Sequence, residues 1–188
     1  MVFIVLFFAI KRTRHSDRLI AAILAFFWLW IGLRFWLPFS VSTPTFYAIA
    51  ALFIIQGSLF LVEAVKPSMA YRIGTDVYSL TGVVLILYAM VGFPIGAYLV
   101  GHIYPQMGMV GMFPCPTVLF TCGLLLCANS KVQKYMLIIP LLWGFAGVYW
   151  TTVGLVEGAG VVVGAVVATA MIVYRDRKAL AEHAYRTA

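Results

Sequence analysis

Residues 45–72, TFYAIAALFIIQGSLFLVEAVKPSMAYR, decide the fold. Thr45–Val65 is a long apolar run, and the junction that follows it carries Lys66 and Arg72. A helix rises about 1.5 Å per residue, so a hydrocarbon core about 30 Å thick takes about 20 residues. The run therefore reads as one membrane span that ends in a basic turn. The same unit recurs along the chain. Twelve of the thirteen Lys and Arg residues fall in four short segments between apolar runs: Lys11–Arg18, Lys66–Arg72, Lys131–Lys134 and Arg175–Arg186. Arg34 is the exception. Cytoplasmic junctions of multi-spanning helical proteins carry this excess of positive charge. The expected fold is an all-α, polytopic transmembrane bundle with no β-structure and every basic junction on the cytoplasmic side.

Composition agrees. The chain is 64% hydrophobic and 10% charged, against about 45–50% and about 25% for soluble domains. One transmembrane domain over residues 1–188 is expected, with residues 175–188 as a cytoplasmic tail. The net charge of +7 is spread over four junctions, so its expected partners are the bilayer and its anionic headgroups, not nucleic acid. Met1–Ile10 is apolar with no basic residue before it, unlike a cleaved signal. The expected location is a bacterial inner (plasma) membrane, N-terminus outside and C-terminus cytoplasmic.

Leu19–Leu37, Thr45–Val65 and Val77–Val100 meet the length of a span. Tyr135–Thr152 and Ala159–Tyr174 are slightly shorter, and Met1–Ile10 and Thr117–Ala128 are clearly short. Dropping either short segment alone would put basic junctions on both sides, so seven helices are expected, the first short or truncated. Pro38 and Pro44 are expected to bracket the first outer loop, and Pro94 to kink the fourth span. The element order at residues 1–66 recurs at about 117–178, with Trp28-x-x-x-Gly32 matching Trp143-x-x-x-Gly147. This suggests a parallel three-plus-one-plus-three repeat, an arrangement found in some transporters, where short spans in matching places point to a binding site.

The outer segment GHIYPQMGMVGMFPCPT (101–117) is the most distinctive stretch. It is expected to fold back on the bundle and line an outward cavity, with His102, Tyr104 and Cys115 near the wall. Arg34 and Glu157 would close the rim as an ion pair, since a lone charge in an apolar setting is costly. Gln56, mid-span, must face protein or a cavity, most simply through an interhelical hydrogen bond. Met107, Met109, Met112 and Cys115 are soft donors of the kind that suit Cu(I); packing of an irregular loop is the plainer explanation for the methionines. No cofactor is otherwise expected. Gly160, Gly164 and Ala168 form a small-residue stripe for close helix packing, within the chain or with an oligomeric or membrane-complex partner. Trp36 and Trp150 are expected at the interface, and Trp28, Trp30 and Trp143 inside the bundle. There is no mid-span Lys for a retinal Schiff base and no H-E-x-x-H or G-x-S-x-G, so no enzyme is expected.

PCPTVLFTCGLLL, IPLLWGFAG, LFIIQGSLFL and the His102-x-Tyr104-Pro105 element resemble a bacterial domain-of-unknown-function family of small polytopic membrane proteins. The resemblance spans most of Leu19–Tyr174. It implies a membrane bundle with a longer N-terminal segment than this chain begins with, and carries no activity or catalytic residue. The functional expectation is a small transporter or permease-like protein of unknown substrate, with an accessory or scaffolding subunit as the alternative.

Overall fold

The computed structural model describes residues 1–11, 13–102, 108–152 and 158–187, and in the last helix the side chains of 158–179 and 181. Among these residues run seven helices: α1 (Val2–Ile10), α2 (Ser16–Ser40), α3 (Phe46–Val65), α4 (Val77–Leu99), α5 (Pro114–Leu126), α6 (Tyr135–Thr152) and α7 (Gly158–Thr187). The described residues contain no strand, and one isolated antiparallel bridge joins Tyr71 to Ala128. Helices α2, α3, α4, α6 and α7 are each long and apolar enough to cross a membrane.

Two prolines are built in by the same device. The sequence placed a loop at Pro38, but α2 continues through it to Ser40. Residues Ile31–Trp36 form a π-helical turn in which the Leu37 N–H donates to the Gly32 carbonyl, five residues back. A wider turn relieves the clash that a proline ring makes with the carbonyl four residues before it. In α4 the turn Tyr88–Gly92 is likewise π-helical, Phe93 N–H donates to Tyr88 O, and Pro94 follows. Pro94 is thus accommodated by a widened turn.

The short helix α5 lies at the centre. All of its residues except Cys115 are buried. Trp28 of α2 donates from Nε1 to Thr121 Oγ1 at 3.0 Å. On another side, α4 crosses it where two glycines meet: a Cβ on Gly82 would lie 2.6 Å from the Gly123 carbonyl, and one on Gly123 2.6 Å from the Gly82 carbonyl. Backbone blocks both positions, so neither tolerates even a methyl group without the helices parting. Leu119 of α5 packs against Gly164 of α7. Shielding by neighbours explains why this helix need not reach across a bilayer.

The small-residue stripe of α7 is therefore used inside the chain. Gly160 faces Tyr88 of α4, Gly164 faces Leu119 and Leu85, and Ala168 is fully buried. Of the two uses the sequence allowed, packing within the chain is the one seen here, against α4 and α5. Gly32 sits in the α2–α3 contact against Ile54, and Gly147 in the α6–α7 contact against Val162 and the Gly158 carbonyl.

The four basic junctions gather at one end. The N–H of Ile73 donates to Ala9 O at the end of α1, and that of Arg72 to Cys127 O at the end of α5. Tyr71 N–H donates to Asp17 Oδ1 of α2 and Ala70 N–H to Ser130 Oγ. Val132 N–H donates to Asp176 Oδ2 of α7.

Candidate functional site

The residues expected around an outer cavity are described only in part. Arg34 is exposed and stacks over Trp30 of its own helix at 5.9 Å. Trp30, expected inside, is 45% exposed, whereas Trp36, expected at the interface, is buried. Tyr104, Met107 and Glu157 lie outside the described residues, and so does the Arg34–Glu157 pair. His102 is half-buried just after α4, and its backbone N–H donates to Ala97 O. Cys115 is half-buried against the core at the start of α5. Met109 and Met112 are exposed. Residues 108–113 do fold onto the bundle: Gly108 lies against Phe93 and Gly111 against Phe27, and Gly111 N–H donates to Thr117 Oγ1 at 2.8 Å. Gly111 has φ +83°, a conformation that favours glycine.

A seam between the halves holds the buried polar atoms of the spans. Gln56 of α3 is fully buried and donates from Nε2 to the Met136 carbonyl of α6 at 3.3 Å. The bond has a simple cause. Met136 O would ordinarily accept from residue 140, but that residue is proline and has no N–H. One turn further out, Trp143 of α6 packs edge-on against Phe53 of α3 at 5.1 Å and against Trp36 of α2 at 5.4 Å. Trp150 and Phe46 complete the group. Trp36 Nε1, Trp143 Nε1 and Gln56 Oε1 are buried with no hydrogen-bond partner among the described residues.

The basic end carries a second constellation, which the sequence reading passed over. Arg175 of α7 donates from Nη1 to Leu126 O at 3.1 Å and Ala128 O at 2.8 Å, capping α5, and pairs through Nε with Asp176 at 3.3 Å. Its guanidinium lies 5.6 Å from the centre of the Tyr78 ring, and Nη2 is buried without a partner. Asp76 caps α4, accepting from Tyr78 N–H, Ser79 N–H and Ser79 Oγ. Its slight burial raises the carboxyl pKa, but the Ser79 and Tyr78 hydrogen bonds outweigh that and hold it below the usual 3.8. Asp76 is therefore ionised at neutral pH. Arg175, Asp76, Ser79 and Asn129 line a pocket of about 170 Å³. A groove of about 760 Å³ between α4 and α7 adjoins it, sharing Asp76 and Tyr78. The signal for Asp76 was present as Asp three residues before Ser79 at the start of a span, a capping pattern; Arg175 was hidden within a run of charges. Glu63 accepts from Ser68 N–H, Ser68 Oγ and Met69 N–H and folds the turn after α3. Cys127 is buried beside Asp76, which pushes its thiol up to about 12, burial first and the Asp76 charge second. It is no nucleophile in this state.

Among the described residues seven helices, five of spanning length and another short and buried at the centre, make this a polytopic helical membrane protein. The chain belongs to the Family of unknown function (DUF6064), whose model matches residues 1–183. No curated protein and no solved structure matches it.

Two tests follow from this geometry. If Gln56 serves the carbonyl that Pro140 orphans, Gln56→Leu lowers stability by about 1 kcal/mol in the parent protein and by less in a Pro140→Ala background. Thermal melting of the purified variants measures this cycle; an equal cost in both backgrounds would refute the coupling. The second concerns Tyr71, which is buried with its hydroxyl unpartnered among the described residues. Burial, then the charges of Glu63 and Asp17, raise its pKa well above 10.0. Its contribution to stability is thus fully present below pH 10.0 and is lost as pH rises through the higher folded value. Tyr71→Phe keeps the ring, so its melting temperature at neutral pH stays equal or rises, and its alkaline loss is smaller. An unchanged alkaline profile contradicts this.

Proposed function

We propose that the protein is a small permease whose substrate route follows the seam where α2 and α3 meet α6. One observation carries the reading. Three of the five buried, unpartnered side-chain atoms among the described residues lie on that seam, from Trp36, Gln56 and Trp143. An unsatisfied buried donor or acceptor costs about 1–3 kcal/mol, and native proteins keep few of them. Two donors and one acceptor in an aromatic wall offer a small polar molecule hydrogen bonds on a path that is otherwise apolar. The seam also divides α1–α3 from α5–α7, and transporters built from repeats place their sites at such interfaces. The basic end faces the cytoplasm in this reading. An engineered cysteine beside Arg175 then stays unlabelled by an impermeant outside reagent in intact cells, and rapid labelling would reverse the orientation.

The rival is an accessory subunit of a larger membrane complex, which the low polar content of the spans favours. A ligand screen on the purified protein separates the two. It reads tryptophan fluorescence and melting temperature against small metabolites, inorganic ions, Zn(II) and Cu(I). A permease gives a saturable shift that Trp36→Phe and Trp143→Phe weaken about tenfold or more. A stable, stoichiometric, unrelated partner in native mass measurements, with no ligand response, supports the accessory role instead.

A further inference from the structure

We infer that the pocket and groove at the basic end form one binding site for a phospholipid with an ethanolamine headgroup, drawn from the leaflet that faces this end. The inference does not depend on the transport reading. It starts from the shape. A small polar pocket of about 170 Å³ and an apolar groove of about 760 Å³ share Asp76 and Tyr78. The groove runs between the start of α4 and the last apolar turns of α7, walled by Val77, Ala170, Met171 and Tyr174. Val77 and Tyr174 are among the most exposed apolar side chains of their helices. A polar chamber that continues into an apolar channel at the end of two spans matches a headgroup followed by an acyl chain.

Charge selects the headgroup. Asp76 is ionised, and among the described residues no basic side chain pairs with it. The Tyr78 and Ser79 N–H groups both go to Oδ1, and Oδ2, which takes the Ser79 hydroxyl, keeps acceptor capacity. Arg175 lines the same pocket with a side chain 20% exposed, and Asn129 adds an amide. An ammonium set against Asp76 and a phosphate against the Arg175 and Asn129 side satisfy both signs at once. A glycerol headgroup would set the same phosphate against Arg175, whose charge Asp176 already offsets in part at 3.3 Å, but would bring no cation to Asp76 and leave that carboxylate unpaired. The site is therefore set for a zwitterion, whereas the exposed Lys and Arg residues of the junctions draw anionic lipids without selecting among them.

The test is native mass spectrometry of the intact protein, extracted in mild detergent and exposed to equal amounts of phosphatidylethanolamine and phosphatidylglycerol. The parent protein retains the ethanolamine lipid several-fold over the glycerol lipid. Asp76→Asn preserves the cap, since Asn is as good an N-cap as Asp, and removes the charge. It lowers ethanolamine-lipid retention about tenfold, as expected for one charge-assisted contact, and abolishes the preference. Ala170→Phe fills the groove without touching the polar pocket and lowers retention of the ethanolamine lipid while melting as the parent does. Equal retention of the two lipids by the parent protein, or a preference for the glycerol lipid, overturns the assignment. So does an Asp76→Asn variant that is folded and still selective. If Asp76→Asn fails to fold, the parent preference and the Ala170→Phe result decide alone.

Discussion

A helix of thirteen residues rises about 20 Å and cannot cross a core about 30 Å thick. Everything else in this bundle is arranged around that fact. The ends of α5 stay within the protein, so its terminal backbone groups have to be satisfied by protein. At the basic end, carbonyls of Leu126, Cys127 and Ala128 accept from Arg175 and from Arg72 N–H. At the opposite end, Phe113 O accepts from Thr117 Oγ1, which in turn accepts from Gly111 N–H. Prolines at 114 and 116 need no N–H partner in a first turn. The helix is closed by its surroundings at both ends, and α4, α2 and α7 close its sides.

The same loop serves both short helices. Arg72 and Ile73 are adjacent, and their N–H groups reach Cys127 of one half and Ala9 of the other. Tyr71, the residue before them, donates to Asp17. Three successive amides thus tie α1, α2 and α5 to one strap, with Glu63 folding the turn that leads into it. A chain segment used so densely is ordered by many short bonds, and buried bonds of this kind open only with the surrounding structure.

Much of this was legible in the sequence, for a clear reason. Span count and the gathering of the basic junctions at one end rest on length and on the distribution of Lys and Arg, properties of whole segments that survive local error. The failures are local. Pro38 was taken as a stop, because a proline ring clashes with an ordinary α-turn; the π-helical turn at Ile31–Trp36 removes the clash. The stripe at Gly160 and Gly164 announced close packing, but not against what; only the fold brings Tyr88 and Leu119 to it. The contact of Arg34 with Trp30, four residues away, was also missed, because a partner was sought only across the bundle. Asp76 and Arg175 lie 99 positions apart in the chain, so nothing in either neighbourhood foretold a common pocket.

The two constellations differ in the physics that holds them. At the basic end, the described cross-chain contacts are dominated by directional hydrogen bonds between loops and helix ends, which fix geometry closely. Along the seam, Trp36, Trp143, Trp150 and Phe53 meet through ring contacts at 5.1 to 6.4 Å. Aromatic packing of this kind contributes about 0.5–1.5 kcal/mol per pair beyond area and tolerates sliding better than a hydrogen bond does. The π-helical turns of α2 and α4 add to the contrast, since such turns mark places where a helix departs from its regular ladder. The basic end is accordingly the more closely fixed part of the bundle, and the seam is the part held by the less directional contacts.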